Sequence, residues 1–312
     1  MTRRVALKGT DLCLSPVALG TVKAGIAWSG READALLDAY ADMGGNVLDT
    51  ARVYTPPKEG CSEQALGQWL RRSGKRRHMV LVSKGGHPAL DSMTVPRMDR
   101  ASMEADLEAS LRALGVDAID LYLYHRDAPA TPAGELVELM EDFRRAGKIR
   151  WYGCSNWTTP RMEEAAAYAK AHGLPGFVAN ECLFNVGVRH MGPLADKTMV
   201  AADDAMLAHH RATGMGMLAY CGLCSGYFHR LMAEGPEAVR GKKYDTPGNR
   251  RVAERLNAVC RDYGVTLSQA ELAFILAQPF DAVALAGVSR VEQLTDLMGA
   301  MTLNIPIEAY EE

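Results

Sequence analysis

Residues 100–125, RASMEADLEASLRALGVDAIDLYLYH, hold one complete helix-to-strand unit. In its first half Met103, Leu107, Leu111 and Leu114 recur every three or four positions, one stripe of an amphipathic helix over 100–114, and Gly115 suits the left-handed exit that ends it. The second half, IDLYLY at 119–124, is apolar almost without interruption and closes on His125. A strand buried on one face alternates polar and apolar residues; a continuous run is what burial on both faces requires, as in a parallel sheet covered by helices.

The same unit recurs on both sides of this stretch. Further strands are predicted at 16–19, 46–49, 79–83, 150–154, 176–180, 215–220 and 281–285. Between them, Thr131 and Pro132 open a helix whose stripe is Leu136, Met140 and Phe143 and whose exit is Gly147, and Thr159–Pro160 opens another that runs toward Gly173. Eight strands alternating with helices predict an α/β fold of the (β/α)8 barrel type, the whole of 1–312 forming one domain. A doubly wound open sheet is the alternative, weakened because no G-x-G-x-x-G follows an early strand. Ahead of the barrel, RRVALKGTDLCLS reads as a β-hairpin turning at Lys8–Asp11 and closing the barrel floor. The long connections 85–99, 185–201 and 227–248 fall on the strand-to-helix side, where function usually resides.

Bulk composition narrows the class. With 312 residues, 48% hydrophobic and 23% charged, and a net charge of -3, the chain is an ordinary globular protein with no electrostatic call for nucleic acid or an anionic membrane. The basic start lacks the apolar core of a secretory signal, and no apolar run approaches the roughly 20 residues of a membrane span. Seven scattered cysteines suit reduced thiols in the cytoplasm. No metal site is expected: Cys221 and Cys224 form a C-x-x-C without the second ligand pair that zinc needs, and a cofactor loop containing two thiols is the simpler reading. His209–His210 reads as a helix surface pair.

Four residues stand where barrel enzymes place their chemistry. Asp49 ends one strand, Lys84 and His125 end two others, and Tyr54 follows in the loop after Asp49. Taken singly, a strand-end lysine is a solvated edge residue, a loop tyrosine packs an interface and a histidine after an apolar run is a core histidine. Together they make a carbonyl-reducing set: phenol as proton donor, ammonium to lower the phenol's pKa from its usual ~10, carboxylate to hold the ammonium, and imidazole to position the carbonyl.

With GT at 20–21, LDTARVY at 48–54, SEQALG at 62–67, VLVSK at 80–84, LEASLRALGVDAIDLYLYHRD at 107–127, GKIRWYGCSNW at 147–157, LAYCGLCSG at 218–226 and AGVSRVEQL at 286–294, the chain resembles the aldo-keto reductase superfamily. The resemblance implies a barrel that reduces aldehydes or ketones with NADPH, or alternatively NADH, through a tetrad of Asp49, Tyr54, Lys84 and His125. It implies that Ser155 and Asn156 hold the nicotinamide carboxamide, that Tyr220 stacks on the ring, and that Gly20, Thr21, Asp49, Leu223, Gly226, Gly287 and Ser289 belong to the cofactor site. Gln293 and Asp296 fall at the adenosine end. Trp28, Arg52, His87 and Trp157 are expected to face a small carbonyl substrate; Arg52 and His87 hint at a sugar-like one.

The chain departs from the family pattern in places. Thr55, Pro56 and Pro57 follow the tyrosine where a glycine is usual, implying a reshaped loop. Glu181 stands for a glutamine and is expected to accept from the carboxamide. Gly287 and Val288 replace the residues that meet a 2′-phosphate elsewhere, leaving Arg290 beside Ser289 as the expected cation. Some members of the superfamily serve as cofactor-binding regulatory subunits, so a regulatory or redox-sensing subunit with little turnover is the competing expectation.

Overall fold

The computed structural model describes residues 4–54 and 60–311; the loop expected to be reshaped at Thr55–Pro57 lies outside the described residues. A short antiparallel hairpin, β1 (Val5–Ala6) and β2 (Cys13–Leu14), precedes eight parallel strands. These are β3 (Val17–Gly20), β4 (Val47–Asp49), β5 (Val80–Gly85), β6 (Ile119–Tyr124), β7 (Ile149–Ser155), β8 (Ala179–Leu183), β9 (Gly216–Tyr220) and β10 (Ala282–Gly287). They pair in chain order, and β10 returns to β3, so the sheet is a closed barrel. The (β/α)8 architecture read from the sequence is the observed one.

Strand period explains the layers. Val47 in β4, Val80 and Val82 in β5, Leu121 and Leu123 in β6, Leu218 in β9 and Val283 and Leu285 in β10 pack together inside the barrel. The alternate residues, among them Leu48, Leu81, Tyr122, Tyr124, Tyr152 and Met217, face the helical layer. All six residues of β5 and of β6 are buried, as their continuous apolar runs require. The hairpin adds Val5, Leu7, Leu12 and Leu14 to the inner cluster, and Leu7 lies so close to Gly216, at the start of β9, that a Cβ there would sit 2.4 Å from its Cδ2. The hairpin thus closes the floor, opposite the strand C-termini.

The helix of the quoted stretch is α3 (Arg100–Leu114), preceded by α1 (Gly30–Asp42) and α2 (Cys61–Ser73). Asp99 caps α3 by accepting from Ser102 N at 3.0 Å, and Gly115 takes a φ of 68° at its exit. On α2, Gly67 is a close-approach position: a Cβ would stand 2.3 Å from Ala113 O on α3. Then come α4 (Ala133–Arg145), α5 (Thr159–His172) and α6 (Asp204–Thr213). After β9 the chain inserts α7 (Tyr227–Glu234) and α8 (Pro247–Tyr263) before the crossover helix α9 (Leu267–Leu276), and α10 (Val291–Met298) follows β10. No helix among the described residues is long and apolar enough to cross a membrane.

Three expectations are corrected. The strand expected at 176–180 is displaced to 179–183: Gly176 turns the chain with a φ of 70°, and the strand continues into Glu181 and Cys182, where the polar residues had hidden it. The connection expected at 227–248 contains α7, whose Tyr227 and Phe228 build a satellite core with Tyr244, Leu256 and Val259. The His209–His210 pair is buried, not superficial. His210 Nδ1 lies 2.8 Å from Met215 O, its ring stacks on Phe280, and burial pushes it down to about 4, so it is neutral.

Candidate active site

Inward residues near the C-terminal ends of the strands emerge into the space above the inner core. Ladder partners Gly20–Asp49, Asp49–Val82 and Lys84–Leu123 fix this phase, which His125 N continues by donating to Gly85 O at 2.9 Å. Ser155 pairs with Glu181, and Gly287 with Gly20, on the same phase. A cavity of about 770 Å³ opens there. At one end its wall includes Asp49, Tyr54, His125, Ser155, Asn156 and Glu181.

The four residues expected to act together do converge. Lys84 Nζ donates to Asp49 Oδ1 at 2.5 Å, to Thr50 O at 3.1 Å and to Tyr54 Oη at 3.1 Å. The Tyr54 ring lies 5.8 Å from that of His125 in an edge arrangement. Lys84 is fully buried and Asp49 nearly so. Burial opposes the Lys84 charge, yet Asp49, Glu181 and Tyr54 together hold its pKa well above the usual lysine value. For Asp49, burial raises the carboxyl and the neighbouring ammonium works against the rise. His125 is driven well below the ordinary imidazole value by burial, with Lys84, Arg126 and His87 adding to the effect, so it is neutral.

Lys84 lowers the Tyr54 pKa as expected, but burial first, and then Asp49 and Glu181, outweigh it, so the phenol stands above its usual value. Tyr54 is therefore firmly protonated. The lysine limits the rise without reversing it.

Glu181, expected to face a carboxamide, is in the cavity wall; its Oε2 lies 3.1 Å from Lys84 Nζ, with the side chain 3% exposed. Asn156 is satisfied by the protein alone: Nδ2 donates to His125 O at 3.2 Å and to Ser155 Oγ at 2.9 Å, and Oδ1 accepts from Val200 N at 3.1 Å and Tyr220 Oη at 2.7 Å. The Ser155 hydroxyl hydrogen is left to donate.

Toward the other end the wall is made by Leu223, Ser225, Gly226, His229, Ser268, Gly287, Gln293 and Asp296. Of the expected cofactor residues, Thr21 stands apart: its hydroxyl is buried between Asp49 O at 2.7 Å and Ser62 Oγ at 2.7 Å, tying β3 to α2. Ser289 and Arg290 are exposed beside the cavity and outside its wall. Lys23, which sequence reasoning missed, is in the wall, and its Nζ donates to Ser289 Oγ at 2.8 Å. Its place two residues after Thr21 was the available signal. His229 and Ser268 were missed as well. His229 Nε2 lies 3.0 Å from Ser268 Oγ, and Nδ1 lies 3.3 Å from Oε2 of the fully buried Glu271.

The expected substrate residues divide. His87 is buried, its ring 4.7 Å from that of His125, and Arg52 lies 3.9 Å from Glu63 Oε2. Trp28 and Trp157 are packed in the core; the Trp157 indole donates to Arg126 O at 3.1 Å and its ring meets Phe177 edge-on. None of the four is in the described cavity wall. Cys221 is, while Cys224 is buried; both thiols are free. No cluster of three or more metal-ligating side chains occurs among the described residues.

The chain belongs to the aldo/keto reductase family, whose model matches residues 16–312. It is similar to an uncharacterized oxidoreductase, YrpG, of Bacillus subtilis, 28% identical over 307 residues and spanning 96% of this chain and 91% of that protein. Protein tas of Escherichia coli is 25% identical over 336 residues, with 97% and 94% covered. A probable voltage-gated potassium channel subunit beta of Oryza sativa is 27% identical over 292 residues, with 89% and 84% covered. Membership places the chain among carbonyl-reducing oxidoreductases.

Proposed function

We propose that this protein reduces an aldehyde or ketone to an alcohol with NADPH, Tyr54 giving the proton. The observation that carries the reading is the contact of the buried Lys84 with both Tyr54 Oη and Asp49 Oδ1, at one end of a cavity long enough to be lined at the other by Gln293 and Asp296. The residues fit a dinucleotide: Ser155 keeps a free donor beside the reacting end, and a Cβ built on Gly287 meets nothing within 4 Å, so that wall is open. Ser155 and the Tyr220 ring would hold the nicotinamide end, with Asn156 fixing both of them in place, and Leu223, Ser225, Gly226, Gln293 and Asp296 would hold the other. Lys23, with Ser289 and Arg290 close by, favours the 2′-phosphate of NADPH over NADH.

The cofactor, when bound, supplies hydride to the carbonyl carbon. Charge then builds on the carbonyl oxygen, and the chain supplies the rest. Neutral His125 donates a hydrogen bond that positions this oxygen and spreads its charge. Tyr54 transfers its proton, and Lys84 stabilises the phenolate that remains. Asp49 keeps Lys84 charged, since an unpaired buried ammonium would cost several kcal/mol. His87, packed edge-on against His125, holds that imidazole in place.

The test is to follow nicotinamide absorbance with NADPH and with NADH against a panel of aldehydes, ketones and oxidised sugars. Turnover on some carbonyls, faster with NADPH, is expected. Cofactor binding with negligible turnover on all of them would instead favour a regulatory subunit.

A further inference from the structure

Lys84 faces two carboxyl groups where the proposed chemistry needs one. Asp49 Oδ1 is 2.5 Å and Glu181 Oε2 3.1 Å from Nζ, and no side chain of the three is more than 3% exposed. Were both carboxyls ionised, a net negative charge would be sealed beside Tyr54, and the two anions would repel across one ammonium. The cluster is neutral only when one carboxyl keeps its proton. Asp49 receives the aligned hydrogen bond from Nζ, whereas Glu181 Oε2 stands at ion-pair distance from Nζ without that alignment, and its contact with Asp49 lowers the Asp49 carboxyl while raising its own. Asp49 is thus the anion, and Glu181 the acid.

Resting on the reading above, we propose that Glu181 is a positioning residue that acts through Lys84: held as a neutral carboxylic acid, it leaves the ammonium's second unit of attraction for the Tyr54 phenolate, and its ionisation shuts reduction down.

The surroundings support this. Facing Glu181 are Lys84 from β5, Asp49 from β4 and Tyr54 from the loop after it, with Tyr220 from β9 and the adjoining Cys182 on its own strand; Ser155 of β7 is its non-titrating ladder partner. Lys84 is the single cation of this set. Burial, and then the charge of Asp49, push the Glu181 carboxyl up to about 8 against the pull of Lys84. An ionised Glu181 would also raise Tyr54 further, making it a poorer acid. Both effects act in the same direction as pH rises: the proton leaves Glu181, Lys84 becomes shared between two anions, and proton donation slows.

The experiment compares wild type, Glu181→Gln and Glu181→Asp in two readouts. Infrared spectra taken across pH, as wild type minus Glu181→Gln, are expected to contain a protonated-carboxyl band that disappears with a midpoint of about 8. The wild-type rate of reduction is expected to fall about tenfold per pH unit above that midpoint. Glu181→Gln keeps a flat rate through this range, and Glu181→Asp regains an alkaline fall. No difference band, together with the same alkaline limb in wild type and Glu181→Gln, overturns the proposal. If instead the band titrates as expected but no variant or wild type reduces any carbonyl, the account of the Glu181 proton stands and the assigned activity fails.

Discussion

The two ends of the cavity are held in place by different means. At the reacting end, Asp49, Lys84 and Ser155 are the last inward residues of β4, β5 and β7, and Glu181 is on the inward face of β8, so the sheet ladder itself sets their spacing. At the other end, Ser225, Gly226 and His229 come from the connection after β9, where Cys221, Cys224 and Ser225 take φ values of 58°, 48° and 55°. Three non-glycine residues in the left-handed region cost about 1–2 kcal/mol each. A satellite core around Cys224, Tyr227, Phe228 and Tyr244 offsets that cost. The groups that anchor the Tyr54 phenol are thus built on the rigid sheet, while ligand contacts are built on a strained loop with its own packing.

The contrast can be broken most severely at the rigid end. Lys84→Met leaves Asp49 without its ammonium, and should cost about 3–5 kcal/mol of stability by thermal or urea unfolding while reducing turnover at least ~100-fold. A variant as stable and active as wild type would mean that the sheet-borne cluster is incidental.

At the looped end the buried Glu271 gives an effect of opposite sign. Burial raises its carboxyl well above the ordinary range, so the folded chain keeps a proton that the unfolded chain releases as pH rises. The stability Glu271 contributes is fully present below the usual carboxylate pKa and is lost as pH climbs toward the folded value. Glu271→Gln should therefore melt a few degrees above wild type at neutral pH, with the gap closing in acid, about 2–4 °C for each kcal/mol. A lower melting temperature at neutral pH would instead indicate that Glu271 is ionised and paired with His229.

His229→Ala should have the smallest effect. Losing one neutral hydrogen-bonding group should weaken NADPH binding by ~3–10-fold in calorimetry, with turnover at saturating cofactor within about twofold of wild type. A drop in turnover without a change in affinity would place His229 in the chemistry, and the division between the two ends would fail.

This division also accounts for what was legible in the sequence. Continuous apolar runs ending in Asp49, Lys84 and His125 announce a doubly covered strand and its last inward residue in one pattern, because side-chain period and backbone ladder are coupled. β8 was misplaced by three residues because Asn180 and Glu181 interrupt the apolar signal that marks its neighbours. Lys23 and the His229–Ser268–Glu271 group were hidden for another reason: Lys23 meets Ser289 at a sequence separation of 266, and His229 on α7 meets Ser268 on α9 at a separation of 39, so no local pattern announces either. His210 looked superficial because two adjacent polar residues on a helix usually are, and its burial depends on a partner, Phe280, far along the chain. The sign of the Tyr54 shift could not be read either, since it depends on how deeply the phenol is buried and on Glu181 arriving beside Lys84.

The account turns on Tyr54, and one comparison tests it most directly. Single-turnover oxidation of bound NADPH by a carbonyl substrate should be measured for wild type and Tyr54→Phe, with cofactor affinity determined on the same samples. The account predicts unchanged NADPH affinity and a rate lower by ~10²–10⁴-fold, the usual contribution of a positioned general acid. Tyr54→Phe turning over at the wild-type rate, with the same affinity, would contradict it.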